Sequence, residues 1–177
     1  MRSLVVMLAL VVGSCGAQEA IKKPIDVPSV GVVYLLDGQT NSLKTLPDEA
    51  FKGGHSSILK SAYSKAAMVG SLDVSGLRSP FRVPTGRPEF VFNYSSPEQA
   101  KLFVSKSGKN ERRFESVSIA KDNSMTRLPG IAFDLTEYGD SSYKLIPTNP
   151  LPPGEYAIVL AGSPQSKDKK LFTFGVD

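Results

Sequence analysis

The chain has 177 residues, a formal charge of +4 and a 41% hydrophobic composition, with one histidine, one cysteine and no tryptophan. So few thiols and imidazoles exclude an internal disulfide and a conventional zinc site, which needs three or four Cys, His or carboxylate ligands. Between Arg78 and Arg127 ten Lys/Arg stand against five Asp/Glu, but they are scattered with no recognition-helix pattern, which argues against nucleic acid.

In chain order, residues 4–12 (LVVMLALVV) follow a single positive charge at Arg2. A bilayer-spanning helix needs roughly 20 apolar residues. This run is about half that length, and small residues follow it at once, which is the pattern of a secretory signal peptide. Two processing routes fit. Val12-Gly13-Ser14-Cys15 resembles a bacterial lipobox, with the cysteine carrying lipid after removal of residues 1–14. Alternatively, Cys15-Gly16-Ala17 is an ordinary cleavage site and residues 1–17 are removed. Residues 18–28 are polar, contain proline and lack periodicity, so they are expected to form a flexible tether. Residues 29–177 then form one domain, large enough for a substantial core.

Strand signals dominate that domain. Residues 30–36 (VGVVYLL) are β-branched and aromatic and stop at the turn dipeptide Asp37-Gly38, with 42–46 as the expected hairpin partner. In residues 90–94 (FVFNY) three rings fall on one face by alternation. Further strands are expected over 101–105, 113–119, 143–146, 156–160 and 171–176, with a turn at 107–110. Residues 57–67 are ambiguous. Ile58, Leu59, Ala62, Tyr63 and Ala66 recur at helical spacing, whereas the surroundings favour a strand. The expected class is an all-β sandwich, with either a short helix or a strand over 57–67.

The most specific local stretch is Leu151-Pro152-Pro153-Gly154-Glu155-Tyr156. It is similar to the tyrosine corner of Greek-key sandwiches, including immunoglobulin-like and fibronectin type III domains. That resemblance implies an immunoglobulin-like β-sandwich in which 143–146, 156–160 and 171–176 are strands E, F and G. It also implies that the Tyr156 hydroxyl bonds to backbone a few residues upstream. Gly154 is expected to supply a backbone conformation closed to other residues. Leu151, Pro153, Gly154 and Tyr156 are therefore structural. A second resemblance rests on GLRSP (76–80), RPEFVF (87–92), LPPGEYA (151–157) and FTFGVD (172–177) in this order. This set resembles a family of exported bacterial proteins of unassigned function, and it favours strand over helix near residue 60. It implies no catalytic or binding residue.

Candidate chemistry is sparse. His55, in Gly53-Gly54-His55-Ser56-Ser57, reads as a loop histidine; as a general base it would need a positioned nucleophile and an orienting carboxylate. Asp134, Glu137 and Asp140 cluster oxygen ligands of the kind Ca²⁺ favours, but without the EF-hand alternation, so a polar loop is expected there. Arg112 and Arg113 beside Glu111 and Glu115 read as a salt-bridged strand face. No catalytic residue, metal ligand or cofactor is assigned. The expected role is a binding or structural module of the cell envelope. A calcium-dependent adhesion module and an envelope hydrolase using His55 are the alternatives. The expected partner is an envelope component with anionic character, met through Arg78, Arg82 and Arg87. Contact with a membrane is expected only through lipid on Cys15.

Overall fold

Residues 156–160 and 171–176 near the end of the chain are apolar apart from Thr173 and Gly175, and the architecture follows from them. In the computed structural model, which describes residues 23–57, 68–84, 86–119, 125–127, 130–161 and 169–177, these become β13 (Gly154–Ala161) and β14 (Lys169–Val176). They pair antiparallel from Gly154↔Val176 to Ala161↔Lys169. Every residue from 156 to 160 and from 171 to 176 is buried. Side chains alternate across a strand, so burial of both parities requires cover on both faces.

Two further sheets provide that cover. The central sheet has the order β5-β14-β13-β7, adding β5 (Arg82–Val83) and β7 (Ala100–Val104). On one face lies β11-β12-β6-β1-β2. Its strands are β1 (Val33–Asp37), β2 (Ser42–Thr45), β6 (Glu89–Phe92), β11 (Phe133–Glu137) and β12 (Tyr143–Pro147). Val33, Leu35, Phe90, Phe92 and Leu145 from this sheet pack on Tyr156, Ile158, Leu160, Phe172 and Phe174. On the other face lies β10-β9-β4-β3, with β8 paired to β9. It comprises β3 (Phe51–Ser57), β4 (Met68–Ser75), β8 (Lys106–Ser107), β9 (Glu111–Ile119) and β10 (Met125–Arg127). Leu72, Val74 and Phe114 form a second core with Phe103, Ala157, Val159 and Leu171.

The all-β sandwich expected from the sequence is therefore present, with a third layer that the sequence reading did not include. Three local readings change with it. Gly53-Gly54-His55-Ser56-Ser57 is not a loop but most of β3, with His55 opposite Gly70. Asp134 and Glu137 are not in a loop but on β11, an edge strand. The expected strands 101–105 and 113–119, consecutive in the chain, fall in different sheets: the first lies in β7 of the central sheet and the second in β9 of the outer one. Residues 58–67, where helix and strand were both expected, lie outside the described residues, as does Cys15.

Local chemistry shapes the β1–β2 hairpin. Asp37 Oδ1 accepts the N–H groups of Gln39 (2.9 Å) and Thr40 (3.1 Å), the side-chain mimicry of a turn that Asp favours. These bonds, the Thr40 N–H foremost, hold the Asp37 carboxyl below its ordinary range. The polar segment at 23–28 is without regular structure but is not detached. The Ile25 N–H donates to the Tyr138 hydroxyl at 3.1 Å. Tyr138 follows β11, at the end of the first sheet where Tyr143, Phe92 and Val33 stand in register.

Candidate functional site

Three stretches of the sequence meet at the opposite end of the molecule. Arg82 on β5 donates from Nη1 to Glu155 Oε1 and from Nη2 to Asp177 Oδ1, both at 2.5 Å. The Ser79 N–H donates to Glu155 Oε2 at 2.7 Å. The guanidinium lies over Gly175, and a Cβ built there would collide with it. Glycine at 175 leaves the space that the guanidinium occupies, and its role there is close approach, not its backbone angles. The hydrogen bonds from Arg82 hold the Asp177 carboxyl below its usual range, with the Arg78 charge assisting. Thus Gly76–Pro80, Leu151–Tyr156 and the terminal Phe-Gly-Val-Asp are tied into one ionic cluster.

A second polar cluster lies between the central and outer sheets. Arg112 is 2% exposed. Its guanidinium reaches Glu49, Thr173 Oγ1 (2.9 Å) and the Gly76 carbonyl (3.2 Å). The Thr173 hydroxyl donates to Glu49 Oε1 at 2.7 Å and lies 3.0 Å from Ser79 Oγ. A buried charge is tolerated only when paired and hydrogen-bonded, and these contacts meet that condition. The neighbouring Arg113 points the other way, to Asp73 (3.1 Å) and Glu111 (2.6 Å) on the outer face. The expected single salt-bridged face is therefore two faces with different chemistry.

The tyrosine-corner residues sit as follows. Tyr156 is 1% exposed, donates to the Pro152 carbonyl at 2.6 Å and stacks on Phe174 with centroids 5.4 Å apart. Burial raises the pKa of its hydroxyl. Leu151 is buried and Pro153 exposed. Gly154 does not adopt a positive φ: among the described residues only Gly31, Gly76 and Gly139 are glycines that do. It opens β13 in an extended conformation, and an added Cβ would meet the Tyr156 ring at 3.4 Å, an ordinary contact.

The three arginines expected to form a partner surface are not equivalent. Arg78 is exposed. Arg82 is committed to Glu155 and Asp177. Arg87 donates from Nε to the Pro147 carbonyl at 3.1 Å and stands 3.8 Å from Asp134. Much of the basic excess between 78 and 127 is offset by acids outside that stretch, at Glu49, Asp73, Asp134, Glu155 and Asp177. A linear charge count could not show this. Asp134 pairs with Arg87, and no three potential metal ligands gather among the described residues.

At this end of the molecule a cleft of about 500 Å³ lies between the β1–β2 hairpin and Val83, Pro84, Arg87, Pro88 and Glu89. Leu35, Leu36, Val83, Pro84 and Pro88 form its apolar lining; Asp37, Lys44, Arg87 and Glu89 provide charge. Asp37 is engaged by the turn N–H groups and Glu89 accepts from Lys144 at 3.3 Å. Lys44 and Glu89 carry no signal in the linear chain, because the cleft joins residues from separate strands across a sheet end. No family model matches this chain, and no curated protein matches it.

Proposed function

We propose that this protein is an exported binding module of the cell envelope, built on an immunoglobulin-like sandwich, whose output is capture rather than turnover. The strand order β1-β6-β12-β11 corresponds to the A-B-E-D sheet of such a fold, and β7-β13-β14 to C-F-G. On that correspondence β3–β4 and β8–β10 belong to two insertions that together build the outer sheet, while β2 extends the first sheet beside β1. Sandwiches of this kind host unrelated functions, so the site must carry the argument.

The cleft carries it. Its volume falls in the range of ligand sites, roughly 300–1,000 Å³, and it combines an apolar lining with a few convergent polar groups. Arg82 leaves the partner surface because its charge is used inside the fold. The basic contribution to capture then comes from Lys44 and Arg87 at the cleft and from exposed Arg78. The chain enters beside Tyr138, at the other end of the first sheet. With a lipid on Cys15, the cleft would therefore face away from the membrane.

The test is capture from envelope extract by the tagged protein, compared with Lys44→Glu and at raised salt. Loss of a stoichiometric partner in both conditions supports the reading. Capture indifferent to Lys44 moves the interface elsewhere, and turnover on ester, peptide or glycan panels replaces capture with catalysis.

A further inference from the structure

Two cavities run end to end along one side of the sandwich. The first is the cleft just described; the second, of about 330 Å³, is bounded by Thr45, Leu46 and Pro47 on one bank and by Pro80 and Phe81 on the other. Lys44 borders the first and Thr45 the second, as Val83 and Phe81 do across the way. The cavities thus share their banks: β2 and its continuation on one side, β5 and its approach on the other.

Both banks are sheet edges. β2 ends one sheet order and β5 ends another, so among the described residues each strand pairs on one side only. The Leu46 N–H donates to the Val33 carbonyl at 2.9 Å. Antiparallel neighbours alternate in direction, so Ser42 and Lys44 also turn their main chain to β1, and Leu43 and Thr45 turn theirs outward. On the other bank the Gly175 N–H donates to the Phe81 carbonyl at 2.9 Å, which by the same alternation turns the Arg82 main chain away from β14. Leu46 and Val83 are core residues, 1% and 0% exposed. Prolines at 47, 80, 84 and 88 bracket the banks and supply no N–H donors, which restricts pairing to a short run.

We propose that this groove takes an extended peptide segment, added as a short strand to the outer edge of β2, with alternate apolar side chains directed towards the accessible apolar lining at Pro47, Phe81 and Pro84. The inference rests on the cleft being the recognition site and names its occupant. A lipid chain would fill the volume but leave the outward N–H and carbonyl groups of Leu43 and Thr45 unread, and a saccharide's hydroxyls, which can bond to such groups, are not spaced in the alternating donor–acceptor row of a strand edge. A peptide strand reads both, with main-chain bonds giving affinity and pockets for alternate side chains giving selectivity.

The probe is a library of random peptides of about a dozen residues, long enough to span the edge in extended form, selected by phage display on the immobilised protein and then synthesised. Selected peptides should alternate apolar and polar residues. Methylating their backbone nitrogens should lower affinity by about tenfold or more in one alternation phase and have little effect in the other, as lost strand hydrogen bonds require. Bound peptide should slow amide exchange at Leu43 and Thr45. Thr45→Pro removes an outward N–H at an edge where proline is tolerated, and should weaken binding while the urea midpoint is kept; if that variant fails to fold, the methylation and exchange measurements still decide. Affinity indifferent to methylation in both phases overturns strand addition. Failure to select any peptide, with envelope capture still abolished by Lys44→Glu, overturns strand addition and leaves the cleft as the binding site. Failure of both overturns both.

Discussion

Gly175 and Arg82 act as one unit, because the guanidinium occupies the space a side chain at 175 would need. Gly175→Ala should displace Arg82 from Glu155 and cost about 2 kcal/mol, the worth of a charge-assisted hydrogen bond. In an Arg82→Met background the same change should cost well under 1 kcal/mol; additive urea-melt values would break the assignment. At the tyrosine corner, Tyr156→Phe removes one hydrogen bond from a carbonyl on exposed Pro152, so about 1 kcal/mol should be lost. Gly154→Ala should change stability by less than about 0.5 kcal/mol, since φ is not positive there and the new Cβ has room. The Asp177 carboxyl titrates below its unfolded value. Its contribution is therefore present above the ordinary carboxylate pKa, near 3.9, and is lost as the pH falls through the lowered value. Urea midpoints should drop on acidification below about pH 4, and Asp177→Asn should flatten that dependence. An unchanged slope in the variant would remove the Arg82–Asp177 pair from the account.

At the scale of elements, β9 shows what alternation does to two adjacent arginines. Arg112 faces the central sheet and Arg113 faces solvent. Removing one partner of a buried pair costs about 3–5 kcal/mol because a charge is left uncompensated, so Arg112→Ala and Glu49→Ala should each be severe. Arg113→Ala breaks two pairs on the outer face, with Asp73 and Glu111, and should cost about 1–2 kcal/mol. Equal urea midpoints for Arg112→Ala and Arg113→Ala would contradict the placement of β9. The outer sheet also adds apolar cover: Phe114 is fully buried against β7, β13 and β14. Phe114→Ala should cost about 3–5 kcal/mol, a value out of reach for a surface strand. The double coverage of β13 and β14 has its trace in the chain as near-continuous apolar runs, broken in β14 by Thr173. Such runs state that both faces are buried without naming what buries them.

For the whole molecule, the arrangement of ends matters most. Residues 23–25 meet the fold beside Tyr138, whereas the cleft, the ionic cluster and Asp177 lie at the far end of the strands. If Cys15 is lipidated, labelled fatty acid should be incorporated in the native host and Cys15→Ser should release the protein to the soluble fraction; an unlabelled wild type starting at Gln18 would establish ordinary cleavage. Charge behaves as a property of the fold rather than of the chain. Arg78→Glu should leave stability within about 0.5 kcal/mol, as exposed surface changes do, whereas Arg82→Glu should lower it by breaking two ion pairs.

The sequence by itself determined several of the strands, through the alternating rings of Phe90 and Phe92 and the hairpin turn at Asp37. It also determined the short-range geometry at Tyr156, whose partner lies four residues away. These features depend on neighbours in the chain, so local pattern suffices to read them. The tertiary structure decided the third sheet, the opposite faces of Arg112 and Arg113, the engagement of Arg82 and the cleft bordered by Lys44 and Glu89. His55 read as loop because Gly-Gly-His-Ser-Ser has poor intrinsic strand preference, and pairing with β4 overrode it. Arg82 read as a surface charge because its partners, Glu155 and Asp177, lie 73 and 95 residues away. Hydrogen bonds and ion pairs act over a few ångströms in space, and a linear chain does not encode which distant residues the sheets will bring that close.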